Sequence, residues 1–95
     1  MIKENWLEEL KYLTSIPALS GMEDKMITEM LNRFKAQTDD VEVDRLGNVT
    51  ATFKGQDENE PTLLVFAHMD ELGLMITKVE EDGFLRFDRI GGVPE

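Results

Sequence analysis

The residues best equipped for chemistry stand together at Ala67-His68-Met69-Asp70-Glu71. His68 is the single histidine of the chain. Neutral imidazole is a good ligand for zinc, cobalt or manganese. A ligating histidine also needs its second ring nitrogen held by a carboxylate or carbonyl. Asp70 follows two residues later, and residues two apart in extended backbone project to the same side. Asp70 is therefore placed to reach His68. Glu71 is the nearest further carboxylate, but adjacent strand residues face opposite ways. His-x-Asp alone is a weak signal, because a lone histidine at a strand end is more often an ordinary surface or core residue. A catalytic zinc takes about three protein ligands, and a two-metal site takes more. The chain has no cysteine and no second histidine, so it can recruit only carboxylates.

Other chemistries find no support. The glycines never form a strand–GxGxxG–helix pattern or a Walker loop, so there is no phosphate cradle. No GxSxG elbow is present, and Ser15 and Ser20 lie far in sequence from His68. No EF-hand loop is present, which leaves loose calcium binding by surface carboxylates as a weak reading. Twenty acidic residues against ten basic ones give a net charge of −10. That charge repels phosphates and argues against nucleic acid as a partner. Its plain role is a solubilising surface; the sharper one is to collect a divalent cation or to disfavour acidic substrates. Asp39-Asp40 and Glu80-Glu81-Asp82 read as solvated turns. The absence of cysteine excludes a disulfide framework and suits a reducing cytoplasm. Met1 to Trp6 lacks the apolar stretch of a signal peptide. The longest apolar run, Leu63 to Ala67, falls far short of the roughly 20 residues of a membrane span.

The elements that would position His68 follow from periodicity. Residues 4–16 carry Trp6, Leu7, Leu10, Leu13 and Ile16 at helical spacing, and Pro17 ends that helix. Ser20 with Glu23 three residues later has the capping-box pattern, so a second helix is expected from near Ser20. Met22, Met26, Ile27, Met30, Leu31 and Phe34 form its apolar stripe, which reads as core packing. From Val41 the period becomes alternating. Leu46-Gly47-Asn48 reads as the turn of a hairpin between Val41–Arg45 and Val49–Lys54. Gly55 to Pro61 is a polar loop. Thr62 to Ala67 is apolar without alternation, the pattern of a strand buried on both faces in an α/β sheet. His68 would then lie beyond a strand's carboxyl end, where ligands bind in open α/β sheets. Two further strands are expected over Leu74–Glu80 and Phe84–Ile90, joined at Glu81-Asp82-Gly83. Two helices followed by five strands suggest α/β or α+β.

Four segments in order give the chain a resemblance. Thr62 to Met75, with the sequence TLLVFAHMDELGLM, resembles the signature of the glutamyl aminopeptidases, the tetrahedral-aminopeptidase family of two-metal exopeptidases. Some members of that family once carried the label endoglucanase. Leu13 to Glu23 resembles the family's opening helix–loop–helix. Val43 to Val49 resembles its following strand–turn–strand. Asp82–Phe87 and Ile90–Val93 resemble the segment after the histidine. The likeness runs the length of the chain and covers about the first quarter of a family member.

The resemblance implies a zinc-aminopeptidase-like (phosphorylase/hydrolase-like) α/β catalytic domain, with two helices and then a mixed sheet. Residues 1–73 would belong to that domain. Residues 74–95 would form the junction and first strands of an inserted β-rich domain used for oligomerisation. His68 would bind one ion of a zinc or cobalt pair, and Asp70 would orient it. The general base and remaining ligands would come from later in the family's chain. The resemblance thus implies a cytoplasmic, homo-oligomeric aminopeptidase acting on peptides, with no nucleic-acid or membrane partner. These 95 residues would be inactive alone and would bind at most a single metal weakly. The competing reading is a stand-alone binding or assembly module that has kept the fold. Retention of both His68 and Asp70 speaks against it. Sheet edges left unpaired would favour association with another chain.

Overall fold

A computed structural model describes residues 5–95. The expected helix start at Glu4 lies outside the described residues. The order is α1 (Trp6–Ser15), α2 (Asp24–Lys35), β1 (Val41–Val43), β2 (Val49–Ala51), β3 (Gly73–Val79) and β4 (Leu85–Ile90). This is a small α/β arrangement of two helices and two separate antiparallel hairpins.

Helix α1 stops where proline requires it. Ile16, the residue before Pro17, has φ −75° and ψ 120°, outside the helical region. Arg33 of α2 ties the two helices together. Its guanidinium meets Glu9 at 2.5 Å and Glu29 at 2.6 Å, and it lies over the Tyr12 ring, 5.4 Å from the centroid. Tyr12 donates its hydroxyl to Glu29 at 3.2 Å.

Helix α2 begins three residues later than the capping-box pattern suggests. Its N-cap is Glu23, and no side chain caps it. The two residues of the pattern are engaged elsewhere: Glu23 accepts the Gly21 N–H at 2.7 Å, and Ser20 donates to Asp70. One long-range bond, from Ser20, and one local bond, to Glu23, take the place of the cap. The apolar stripe of α2 packs on β1 and β2, with Met26 buried at 8% exposure.

The β1–β2 hairpin pairs Val41 with Ala51, Glu42 with Thr50 and Val43 with Val49. Its turn contains Gly47 at φ +89°, a conformation that is costly for a residue carrying Cβ. A Cβ there would also lie 2.8 Å from Ile27 Cδ1 of α2, so glycine lets the helix approach the turn. Asp44 closes the loop: Oδ1 accepts the N–H groups of Leu46 at 2.8 Å and Asn48 at 3.0 Å, and Oδ2 accepts the Asn48 side chain at 2.7 Å.

The β3–β4 hairpin runs from Gly73 opposite Ile90 to Val79 opposite Leu85, with a register shift between Ile76 and Lys78. Gly83 turns the chain at φ +89°. These strands pack chiefly on each other. Leu74, Ile76, Val79, Leu85 and Phe87 are exposed.

The structure departs most from expectation at Thr62–Ala67. The sequence pattern is that of a doubly buried central strand, yet these residues form no strand, and Leu63, Leu64, Val65 and Phe66 are 75–86% exposed. The expected mixed sheet is likewise absent among the described residues, which hold two two-stranded antiparallel sheets. The physical reason is a lack of partners. A central strand is defined by neighbours that bond both its edges and cover both its faces. No other described strand lies alongside this run.

The molecule is correspondingly open. Its radius of gyration is 18.1 Å, against about 12 Å for a compact domain of this length. It exposes 8839 Å², where a compact monomer of this mass would expose roughly 5,600 Å². Only Ala18 and Met26 are buried apolar residues among those described.

Candidate metal-ligand site

The site forms where the loop after α1 meets the segment before β3. Two main-chain connections dock them. The Glu71 N–H donates to the Ala18 carbonyl at 2.8 Å, and Leu19 forms an isolated parallel bridge with Glu71. The Glu71 carboxylate completes the dock by accepting the Ala18 N–H at 3.0 Å. Ala18, 2% exposed, is the most buried of the described core residues. Glu71 therefore faces the loop and not His68, as its place next to Asp70 implies.

Small residues let this junction close. A Cβ on Gly73 would collide with Leu19 Cδ1. Gly91, at φ +78°, lies against Leu72 and Ser20; a Cβ there would be 2.9 Å from Leu72 Cδ2 and 3.5 Å from Ser20 Oγ. The β3–β4 hairpin thus begins and ends against the loop that carries Ser20.

Asp70 sits between two partners. His68 Nδ1 lies 2.9 Å from Asp70 Oδ1 and 3.0 Å from the Asp70 carbonyl oxygen. Carboxylate and carbonyl oxygens only accept, so Nδ1 carries the proton in this geometry. Nε2 then presents its lone pair, and the His68 side chain is 85% exposed. On the other side, Ser20 Oγ donates to Asp70 Oδ2 at 2.6 Å. These bonds hold the Asp70 carboxyl below its ordinary pKa, the Ser20 hydroxyl contributing most and the His68 ring next. The sequence pattern brings His68 and Asp70 together as drawn from their spacing. It misses Ser20, fifty residues away from Asp70, whose local pattern suggested a helix cap.

As a metal ligand set the arrangement is partial. It offers one imidazole nitrogen and a carboxylate that orients the ring, which fits one ligand of a shared centre. Among the described residues no group of three or more His, Cys, Asp or Glu side chains could hold an ion together. No described helix is long and apolar enough to cross a membrane.

The chain belongs with a known class. The sequence profile of the M42 glutamyl aminopeptidases matches residues 47–95, and the chain belongs to that family. It is 41% identical over 87 residues to the lysyl aminopeptidase of Pyrococcus furiosus, covering 90% of this chain and 24% of that protein. It is 35% identical over 85 residues to the glutamyl aminopeptidase of Lactococcus lactis, covering 90% of this chain and 24% of the relative. A crystal structure of an endoglucanase from Thermotoga maritima superposes with a TM-score of 0.76 at 39% identity, covering 88% of this chain and 27% of the other. The chain spans about a quarter of the length of the curated relatives it matches.

Proposed function

We propose that this chain supplies one histidine ligand, His68, to the two-metal centre of an aminopeptidase that removes N-terminal residues from peptides. The observation that carries the reading is the Asp70–His68 pair: Nδ1 is held by a carboxylate while Nε2 points away free to ligate. That is the arrangement by which outer carboxylates fix the tautomer and direction of ligating histidines. The names of the relatives support the activity, and family membership supports its class.

A pair of divalent ions, zinc or cobalt, would supply a bound water of lowered pKa and would polarise the peptide carbonyl. The chain's own part is to fix the direction of Nε2 and to hold the proton on Nδ1. With one histidine and no grouped carboxylates among the described residues, these 95 residues bind metal weakly and are inactive by themselves. In the same reading, residues 1–73 belong to the catalytic unit and 74–95 open an inserted β-rich unit that serves homo-oligomerisation. The strands β3 and β4, which pair chiefly with each other between their two ends, support that division.

Cobalt titration followed by visible absorption tests the ligand assignment on the chain as it stands. Weak binding that His68→Ala abolishes is the expected result. Equal binding by both proteins would remove His68 from the centre and favour a non-catalytic assembly module.

A further inference from the structure

The loop between the helices does more than connect them. Its Ser20 hydroxyl is spent on Asp70 Oδ2, at 2.6 Å, the shorter of the two side-chain bonds this carboxylate makes. Oδ1 is left for His68. A carboxylate rotates easily about its last torsion, which has broad and roughly two-fold preferences. A single bond from the ring would leave Asp70 free to exchange its oxygens and swing into water, since its side chain is 39% exposed. A second bond, on the other oxygen, removes that freedom.

The Ser20 hydroxyl is itself positioned from several sides. The Ala18–Glu71 dock, with bonds of 2.8 and 3.0 Å, fixes the backbone two residues before it and one residue after Asp70. Leu19 bridges to Glu71, and Gly91 lies beside the hydroxyl, where a Cβ would come within 3.5 Å of Ser20 Oγ. His68 has no comparable support. Among the described residues its ring hydrogen bonds go to Asp70 alone, and it is otherwise in solvent. The orientation of the ring therefore depends on Asp70, and that of Asp70 depends on Ser20.

We propose that Ser20 is a positioning residue for the metal-ligand histidine: by clamping Asp70 Oδ2 it fixes the carboxylate that keeps the His68 proton on Nδ1. Its importance for catalysis rests on the metal-site reading above. The clamp itself is a property of this chain, so it can be tested without metal.

The chain has one histidine, so a single imidazole contributes to histidine ring signals. The experiment is long-range proton–nitrogen correlation NMR on ¹⁵N-labelled protein at about pH 8, where an ordinary imidazole is neutral. Wild type is compared with Ser20→Thr and Ser20→Val, which have nearly the same shape and differ by the hydroxyl. Ser20→Ala is measured beside them. Wild type and Ser20→Thr are expected to show mainly the Nδ1–H tautomer. Val and Ala are expected to shift the ratio of the two tautomers at least twofold towards that of free histidine.

Equal ratios in the Thr and Val proteins overturn the proposal, as does a wild-type ratio equal to that of free histidine. Amide signals of Ala18 and Glu71 report whether the dock survives. If Val and Ala lose the dock, Ser20→Cys provides the second variant. It keeps the outline of serine but replaces the hydroxyl by a thiol, a weak donor, so it should shift the ratio in the same direction while the Ala18 and Glu71 amide signals stay those of wild type. An unshifted ratio there overturns the clamp. The two readings fail separately. Cobalt binding indifferent to His68 breaks the metal assignment and leaves the tautomer result standing. His68-dependent cobalt binding with an unmoved tautomer breaks the Ser20 assignment alone.

Discussion

The Asp44–Asn48 turn and the Thr62–Glu71 segment satisfy their polar groups by different means. The turn is closed from within. Asp44 accepts from Leu46 and from both the backbone and side chain of Asn48, Gly47 takes the left-handed conformation, and α2 packs on the strands. The second segment is held from a distance. Ala18 and Ser20, some fifty residues earlier, fix its end at Asp70 and Glu71. Its apolar run, Leu63 to Phe66, lies in water. The contrast teaches where each region takes its stability. A turn with short-range partners is complete in itself. A segment built for a sheet interior is complete only when other chain covers it.

The largest effect should come from giving that run the wrong chemistry. Thr62–Ala67 carries no charge, proline or glycine, a composition that favours pairing between exposed strands. The wild-type chain is expected to self-associate as concentration rises, and added salt should strengthen this by screening its charge of −10. Burying one large apolar side chain is worth roughly 1.5–3 kcal/mol. Phe66→Asp should therefore weaken association by about ten- to a hundredfold. Light scattering over a wide concentration range decides it. A wild-type monomer at every concentration would show that the open run needs no cover.

Gly47→Ala tests the other side of the comparison. It places Cβ on a left-handed residue and against Ile27 Cδ1. The expected loss is about 1–2 kcal/mol of stability. Thermal unfolding should register it as a lower Tm, while self-association through residues 63–66 stays the same. If Tm does not move, the turn is not the rigid part of the molecule.

Asp44→Ala should give a smaller drop in Tm than Gly47→Ala, because the bonds it removes lie at the surface. The effect depends on pH. Bonds from Asn48, its side chain first, hold the Asp44 carboxyl below its ordinary value of 3.8. A carboxylate with a depressed folded-state pKa stabilises above its unfolded pKa and loses that contribution as pH falls through the folded one. Wild type and variant should thus differ in Tm at neutral pH and converge below about pH 3.8. A constant difference across that range would assign the effect to something other than the charge.

Much of the local structure was legible before any coordinates. Pro17 ended α1, Leu46-Gly47-Asn48 made the turn, and Glu81-Asp82-Gly83 joined β3 to β4. These depend on backbone preferences of a few neighbouring residues. The spacing of His68 and Asp70 was legible for the same reason, since two residues of extended chain bring their side chains to one side. The Ser20–Glu23 cap was misread because a pattern four residues long cannot reveal a partner at position 70. The buried strand was misread because burial is not a local property. The run Thr62–Ala67 encodes a preference for an interior, and interiors are made by neighbours.

Sequence by itself therefore determined the turns, the helices, the family and the pairing of a histidine with the carboxylate that holds it. Tertiary structure decided which loop holds that carboxylate, and left the most apolar run uncovered. The division follows the range of the forces. Torsional preference and contacts between near neighbours are written in adjacent residues, whereas a hydrogen bond across fifty residues and the covering of an apolar surface exist only once distant parts of the chain meet.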